Sequence, residues 1–547
     1  MADTLIVIEA PGKVKLLSKI LAELSISGQV IATRGSLYDM PIDQLGLDPS
    51  DLKPTKWVAI SEGTIRFLSQ RFRDAKQVFI MTDADRAGEL IAAQVVTLLR
   101  KNNSTAEVLR ITASALNTES VRHAFSAPRN IDRDVCLTMM ATRAIDRAIG
   151  YLCSDRSIYQ TAGRISSKIA QAINERPLSR WRLMGSHPSE PGWRISAKGP
   201  DSKKASLHAL EKAFKNFDER LMQPAPARNL TKPPPPLLTG GDTLLFVAGQ
   251  LDIPLDEAEK LIQSAYERGA ISYPRTDSQE ISIQTRTMLE GAMRQLGKRV
   301  RPFNVPLGAP VKPASAHEAV YPASPQLFYS PSLVGLSKHD AVPNMIARRT
   351  FASLSPDAKV KSLTVPQEVI SAFLQSNSLP DLNVRIWKDV PETVGWLAFE
   401  RDFVRPAEVS AVDLDHAILE RLIEKNIGRP STVVGHITNA LKRRWVSPAG
   451  VLSDKGKSAL TYLRDSFPGL LNGKDLEKFF DGRHFPTITS AIEAGLGEMQ
   501  MSYQDLIKAA KVATAEKKVA VTYQADESSL PVYNEDAELY VSSADAR

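Results

Sequence analysis

The run TLIVI, residues 4–8, is apolar without a break, the pattern of a strand buried on both faces. From Val14 to Leu24 the apolar positions recur at helical spacing. The same succession returns with a strand over 77–82 and a helix over roughly 88–99. Strand, turn and helix repeated in this way predict an α/β domain with a parallel sheet. From about 134 to 180 the pattern turns helical, and ATRAIDRAIGYL sets Arg143, Asp146 and Arg147 along one face. Residues 186–235 are rich in turn formers and close on TKPPPPLL (231–238), a polyproline-like spacer. Helix resumes near Asp242 and ends in ERGAISYPRTDS, and the Pro- and Ser-rich stretch 302–335 reads as loop. Residues 360–405, with VPQEVISAF, NVRIWKDV and TVGWLAFERDFV, read as strands, and 413–510 read as helices. No internal repeat is visible. The end of the chain carries Asp526, Glu527, Glu535, Asp536, Glu538 and Asp545 and reads as a flexible acidic tail.

At 547 residues the chain exceeds one hydrophobic core and predicts several domains. No apolar stretch reaches the roughly 18 residues of a membrane span, and MADTLIVIEA puts acids where a signal peptide has bases. Cys136 and Cys153 are too few for a disulfide framework or a zinc ribbon. A cytosolic protein with structural thiols is expected. The net charge of +7 admits a polyanion partner and tilts only mildly toward nucleic acid.

Chemistry concentrates where strands end. Asp83 and Asp85, one residue apart, follow the second strand, and Glu9 follows the first. Open parallel sheets bind ligands at that carboxyl edge. Hard cations such as Mg²⁺ take one or two carboxylates there, although Asp is also a favoured turn and N-cap residue. EAPGKVK (9–15) puts a Gly and Lys13 at a strand-to-helix turn, where amides and one ammonium can cradle a phosphate, but it lacks P-loop spacing. In ISYPRTDS (271–278), Tyr273 is a feasible nucleophile and Arg275 a bidentate phosphate ligand, while a Tyr beside a Pro is more often a packed turn residue. NIGRPSTVVGHITNALKRRW (426–445) joins Arg429 and a Ser431–Thr432 cap to a helix ending in Lys442, Arg443 and Arg444, a pattern that suits a nucleic-acid backbone. TAGRISSKIAQAINER adds Arg164 and Lys168 in a second polar turn before a helix.

Taken together, these segments resemble the type IA DNA topoisomerases. EAPGKVK resembles the opening motif of the Toprim domain, and TDADRAGEL its acid-x-acid-Arg-acid-Gly-Glu motif. RAIDRAIGY and AGRISS resemble the helical segment with its Gly-Arg-Val-Gln turn, and TKPPPPLLTGGDTL the Lys-Pro-Pro-x-Pro-x-Thr entry to the tyrosine domain. ISYPRTDS resembles the active-site block, AHEAVYP (316–322) the Ala-His-Glu-Ala-Ile-Arg-Pro block, MIARRTFAS (345–353) the Trp-Arg-Arg-Phe segment and NIGRPSTVVGHI the Ile-Gly-Arg-Pro-Ser-Thr block. The match is collinear from residue 5 to about 460.

The resemblance implies a multidomain fold combining α/β, α and β parts: an N-terminal Toprim domain, helical winged-helix-like domains and a β-rich arch closing a toroid. The implied division is Toprim 1–133, helical 134–185, arch 186–235, tyrosine-bearing helical 236–349, arch 350–412, helical 413–515 and tail 516–547. It implies that Tyr273 attacks single-stranded DNA, leaving a 5′-phosphotyrosine link and a free 3′-hydroxyl that later reseals the strand. Arg275 and Lys13 would stabilise the scissile phosphate, Glu9 would exchange a proton at the 3′-oxygen, and Asp83, Asp85 and Glu9 would hold Mg²⁺. Arg164, Ser166, Thr276, Asp277, Ser278, His317, Glu318, Arg429, Ser431 and Thr432 would contact DNA. The substrates implied are single-stranded segments of negatively supercoiled or catenated DNA. The implied enzyme is a monomer without nucleotide cofactor, in the bacterial cytoplasm with the nucleoid.

Three positions depart from the family pattern: Ala87 replaces the third acid, Ser166 a Gln and Tyr321 an Arg. Without zinc-ribbon cysteines the chain resembles a short, core-only form, nearer topoisomerase III or a plasmid- or element-borne relative. Two alternatives stand beside strand passage. One is a metal-impaired relative that cleaves single-stranded DNA and reseals poorly. The other, a Toprim nuclease or primase, has no use for Tyr273 and Arg275.

Overall fold

The structure, a computed structural model, describes residues 3–102, 105–155, 160–190, 192–216, 224–302, 318–325, 329–399, 405–429, 432–473 and 475–520. The chain divides into two compact units. The first comprises 1–168, 267–269 and 458–547, and the second 169–266 and 270–457.

In the first unit the two expected strands, 4–8 and 77–82, form and are joined in one sheet by two that were not expected. They are β1 (Thr4–Ile8), β2 (Gln29–Ala32), β5 (Gln77–Met81) and β6 (Glu107–Arg110), all parallel in the order β2-β1-β5-β6. A two-residue pair, β3 (Tyr38–Asp39) with β4 (Val58–Ala59), lies apart from that sheet. Helices cover the sheet: α1 (Val14–Glu23), α2 (Glu62–Phe72), α3 (Arg86–Lys101) and α4 (Thr118–Ser126). One core sets Leu5, Val7, Val78 and Ile80 against Leu68, Phe72, Ile91 and Val95, and a second sets Ile6 and Ile8 against Leu17 and Leu21. Alternate residues of β1 thus feed opposite cores, so the run must be apolar throughout. The long α5 (Arg133–Leu152) packs against α3 and against the helices Ile488–Glu498 and Tyr503–Ala520. Cys136 and Cys153 are buried free thiols, and burial pushes both up from the ordinary thiol range.

The second unit holds an antiparallel six-stranded sheet. Its strands β7 (Trp181–Ser186), β8 (Trp193–Gly199), β9 (Arg228–Lys232), β10 (Ala358–Thr364), β11 (Val384–Thr393) and β12 (Glu408–Ala411) run in the order β12-β7-β8-β11-β10-β9. Two separate stretches of chain therefore build one sheet, and β7 begins at Trp181, ahead of the boundary expected at 186. The stretch VPQEVISAF is not a strand. Residues Gln367–Ser376 form a helix whose Val369, Ile370, Phe373 and Leu374 recur at helical spacing and pack on the sheet core of Trp193, Ile195, Phe214 and Ile386. Gly395–Phe399 is likewise a short 3₁₀ turn.

The helical part of this unit contains α8 (Gly240–Leu251), α9 (Leu255–Glu267) and α10 (Ile283–Gln295), after α6 (Arg164–Glu175), which begins in the first unit, and α7 (Lys204–Lys215). Helix α8 opens on a reciprocal Thr239–Asp242 capping box. Among the described residues no helix is long and apolar enough to cross a membrane.

Candidate functional sites: an acidic sheet edge and a tyrosine strap

Register places the first site. Ile8 and Met81 are direct partners on neighbouring parallel strands, so Glu9 and Thr82 leave the sheet side by side. Asp83 and Asp85 follow at that same carboxyl edge. After β1 the chain makes a 3₁₀ turn, Pro11–Lys13, with the Lys13 amide donating to the Ala10 carbonyl at 3.1 Å. The turn delivers the Lys13 ammonium, on a residue only 3% exposed, to the Asp83 carboxylate. A buried ammonium is costly without such a partner.

Asp85 is the N-cap of α3, its Oδ1 accepting from the Gly88 amide at 2.6 Å. The bland reading of this acid is therefore correct as far as it goes, and the cap also fixes the carboxylate at the edge. Gly88 is obligatory, because a Cβ there would lie 2.0 Å from the Asp83 carbonyl oxygen. Thr82 Oγ donates to the Gly88 carbonyl at 2.7 Å and closes the turn.

Glu89, in the first turn of α3, is 2% exposed and engaged through both oxygens. Arg129 donates to it at 2.7 and 2.9 Å, Arg110 at 3.1 Å and the Asp132 amide at 2.6 Å. Burial pushes this carboxyl up, but Arg129, Arg110 and the amide outweigh burial and hold it below the usual carboxylate range. Glu89 is thus a brace and not a substitute for the third acid missing at Ala87. Arg110 extends the brace. Its guanidinium also donates to the carbonyls of Ile80, Thr82 and Ile111 at 3.1, 2.9 and 2.7 Å, and to the Asp83 carbonyl at 2.8 Å. Sequence reading missed Arg110 and Arg129, and an unpaired-looking Glu in an otherwise apolar helix face was the available signal.

The second site is a strap. Ser272 donates to the Tyr321 carbonyl at 2.8 Å through its amide and accepts the Tyr321 amide on Oγ at 2.9 Å. Ala323 donates to the Ala270 carbonyl at 3.0 Å, so residues 270–272 are sewn to 319–323. Tyr273, 5% exposed, lays its ring against Tyr266 of α9, with centroids 5.4 Å apart and planes at 70°. Past it, the Thr276 carbonyl accepts from the Gly240 amide at 2.7 Å and its Oγ accepts from Ser278 N at 3.0 Å. Asp277 forms an ion pair with Arg429, joining the strap to the Gly-Arg-Pro-Ser-Thr turn.

The expected DNA contacts divide between the units. Arg164 and Ser166 lie in the first, and residues 273–278, Glu318, Arg429 and Thr432 in the second. Arg164 is buried and held by Asp146 at 3.0 and 3.2 Å, and Ser166 Oγ donates to the Gly163 carbonyl at 3.2 Å. Glu318 is engaged inside the protein, accepting from Ser282 N at 2.6 Å, Thr285 Oγ at 3.0 Å and the Tyr321 hydroxyl at 2.9 Å. That carboxylate secures the start of α10. Thr432 is the N-cap position of the helix Val433–Lys442. His317 and Ser431 lie outside the described residues.

The edge holds oxygen donors and already draws one cation, the Lys13 ammonium, onto Asp83, which fits a hard divalent ion. The carboxylates of Glu9, Asp83 and Asp85 do not converge as tightly as a preformed cage. Among the described residues, the group of three ligand-type side chains with all ligand atoms within 4.8 Å is Asp413, Asp415 and His416. There Asp415 accepts from Leu255 N at 2.9 Å and His416 Nε2 meets the Ile253 carbonyl at 2.9 Å, so both serve to seat the helix Leu414–Lys425.

A parallel sheet with this acidic carboxyl edge defines a Toprim-type α/β domain, and residues 4–116 match the Toprim domain family. Residues 143–381 match the family described as DNA topoisomerase. With both modules in this order, the chain carries the domain make-up of the type IA DNA topoisomerases. Relatives include a mimivirus "DNA topoisomerase 1 type prokaryotic", 23% identical over 81% of this chain and 59% of that protein. A plasmid "DNA topoisomerase I" of Xylella fastidiosa is 27% identical over 66% of this chain and 57% of its own length, and "DNA topoisomerase 1" of Aquifex aeolicus is 24% identical over 86% and 92%. The chain thus spans under two thirds of the first two relatives. Full-length topoisomerase I from Thermotoga maritima shares the fold, with a TM-score of 0.61 over 94% of this chain and 90% of that one at 18% identity.

Proposed function

We propose that the protein is an ATP-independent DNA strand-passage enzyme that cuts one strand, lets another through and reseals the cut. The observation that carries this reading is the tyrosine strap: a Tyr held by an aromatic neighbour, followed two residues later by Arg275, in a chain that also carries the acidic Toprim edge. The Tyr273 phenol oxygen attacks the phosphorus of a single-stranded segment as its proton passes to solvent, the bond to the 3′-oxygen breaks, and Glu9 in its protonated form gives the leaving 3′-oxygen a proton and is left as the carboxylate. Arg275 and Lys13 offset charge developing on the phosphate. The 5′-phosphotyrosine keeps the ester energy, so reversal by the 3′-hydroxyl needs no nucleotide. Asp83 and Asp85, with Glu9, would hold Mg²⁺, whose charge serves chiefly to align the 3′-hydroxyl for resealing. Thr276–Ser278, Arg429 and Thr432 are proposed to track the DNA backbone, with Arg164 acting as the anchor of its helix. The substrates are single-stranded segments of negatively supercoiled or catenated DNA, handled by a monomer among the DNA of the cytoplasm.

One observation favours a second reading, a relative that cleaves but reseals poorly: Ala87 supplies no carboxylate and Glu89 is committed to two arginines. Incubation with negatively supercoiled plasmid over a Mg²⁺ series separates the two. Ladders of relaxed topoisomers support strand passage, whereas nicked or linear product at every Mg²⁺ concentration supports the second reading. Activity that survives Tyr273→Phe contradicts both.

A further inference from the structure

The six-stranded sheet has two unlike faces. Leu183, Trp193, Ile195, Val384 and Ile386 point into a core that α7 and the helix Gln367–Ser376 close. The residues between them point the other way, as alternation along a strand requires. Register sets that second face in rows across β7, β8 and β11. Ser196 lies between Met184 and Arg385, and Arg194 lies beside Trp387. Met184 is 52% exposed, Arg385 is exposed, and Arg194 and Trp387 are half-buried. The Arg385 guanidinium lies over the Trp387 ring, its carbon 4.7 Å from the centroid.

Charge on this face is not balanced. Arg182 and Lys198 are paired with Glu420 and Glu424 of the helix Leu414–Lys425, and Asp389 is held by Lys232. Among the described residues Arg194 and Arg385 have no carboxylate partner. Glu408, opposite Met184, stands on the edge strand β12.

We propose that this sheet face is a platform for single-stranded DNA, with phosphates on Arg194 and Arg385 and bases against Trp387 and Met184. The inference rests on the reading of the protein as a DNA enzyme, and it adds a binding surface on other elements than the tyrosine strap. An open sheet face encloses no small molecule, whereas aromatic rings on a sheet are a recurrent seat for unstacked bases. A duplex keeps its bases paired and stacked and offers Trp387 no face. Arg385 does not use the ring up, because a guanidinium plane itself stacks on a base. Two guanidiniums without carboxylates favour a polyanion. The sequence hides this surface, since Met184 and Arg194 come from one stretch of chain and Arg385 and Trp387 from another.

The test joins photocrosslinking to a salt titration. The full chain is irradiated with a single-stranded oligonucleotide carrying 5-iodouridine, and the crosslinked peptides are identified by mass spectrometry. Affinity for the same oligonucleotide is followed by anisotropy over a salt series. The variants are Trp387→Ala, Arg194→Gln/Arg385→Gln and, as a control, Lys359→Gln/Lys361→Gln. Those two exposed lysines share the side of β10 that carries Leu363 to the core, so the control removes equal charge from the opposite face. The unmodified protein should crosslink through a peptide containing Trp387. Trp387→Ala should lose that crosslink and bind about tenfold more weakly, with the salt slope unchanged. The arginine pair variant should lower the slope of log affinity against log salt by about 1.4, from two phosphates at about 0.7 each. The lysine control should leave the slope as it was. A slope unmoved by the arginine pair, or the lack of a Trp387 crosslink, would overturn the platform and leave the reading of Tyr273 intact. If the unmodified protein binds no oligonucleotide, the DNA reading falls and takes the platform with it. Should Trp387→Ala fail to fold, the arginine pair variant carries the comparison.

Discussion

Arg129 closes both terminal nitrogens onto the two oxygens of Glu89, at 2.7 and 2.9 Å, in the first turn of the helix that Asp85 caps. The buried Arg110 reaches the same carboxylate and also donates to the carbonyl of Asp83. The acidic edge therefore owes its shape to the buried Glu89–Arg110 pair, which the exposed Arg129 closes from the surface. Glu89→Ala leaves Arg110 buried without its counter-charge, and the expected loss is about 3–5 kcal/mol in chemical denaturation. A melting temperature unchanged from the parent would show that the network is decorative.

Acid sensitivity follows from the same group. Folding lowers the Glu89 pKa from its ordinary 4.5, so its contribution is fully present above the unfolded value. As pH falls through that value and then through the lower folded value, the contribution is lost. Stability should thus fall on acidification below about pH 4.5, and the slope should flatten in Glu89→Gln. Parallel curves for the two proteins would remove Glu89 from the acid response.

Ala87 is the site where a third carboxylate is missing. In the first turn of α3 a glutamate can reach the edge that Asp83 and Asp85 occupy, so Ala87→Glu is expected to tighten Mg²⁺ binding. The readouts are a larger Mg²⁺-dependent rise in melting temperature and a lower Mg²⁺ requirement for plasmid relaxation. If neither moves, the two aspartates and Glu9 already suffice.

Gly88→Ala is predicted to be damaging out of proportion to its size. The new methyl would come 2.0 Å from a backbone oxygen that cannot swing aside, so the Asp83 turn must move. Overpacking of this kind costs about 1–3 kcal/mol, and DNA resealing should fail together with stability. A variant as stable as the parent would mean that the turn is looser than the structure shows.

Both candidate sites were legible because their residues sit where simple patterns end. Glu9 and Asp83 follow uninterrupted apolar runs, and Tyr273 follows a helix stop. What those side chains touch was not legible. Asp85 reads equally as cap or ligand, and only the fold shows it capping Gly88. Glu89 of α3, Arg110 of β6 and Arg129, which pairs with Arg110 through an isolated antiparallel bridge, meet only through tertiary packing. Arg164 and Glu318 were DNA contacts only as the resemblance implies, and the tertiary partners that engage both could not be read from the sequence. VPQEVISAF misled because β-branched residues dominate a short helix whose apolar face is needed by the sheet.

The central claim is that Tyr273 becomes covalently joined to DNA. The direct measurement is to incubate the protein with a 3′-labelled single-stranded oligonucleotide, quench with alkali, digest with protease and identify the labelled peptide by mass spectrometry. The account predicts a peptide spanning ISYPRTDS with a 5′-phosphate ester on Tyr273, absent from Tyr273→Phe although that variant folds and binds DNA. A DNA adduct on any other residue, or cleavage that persists in Tyr273→Phe, would contradict it.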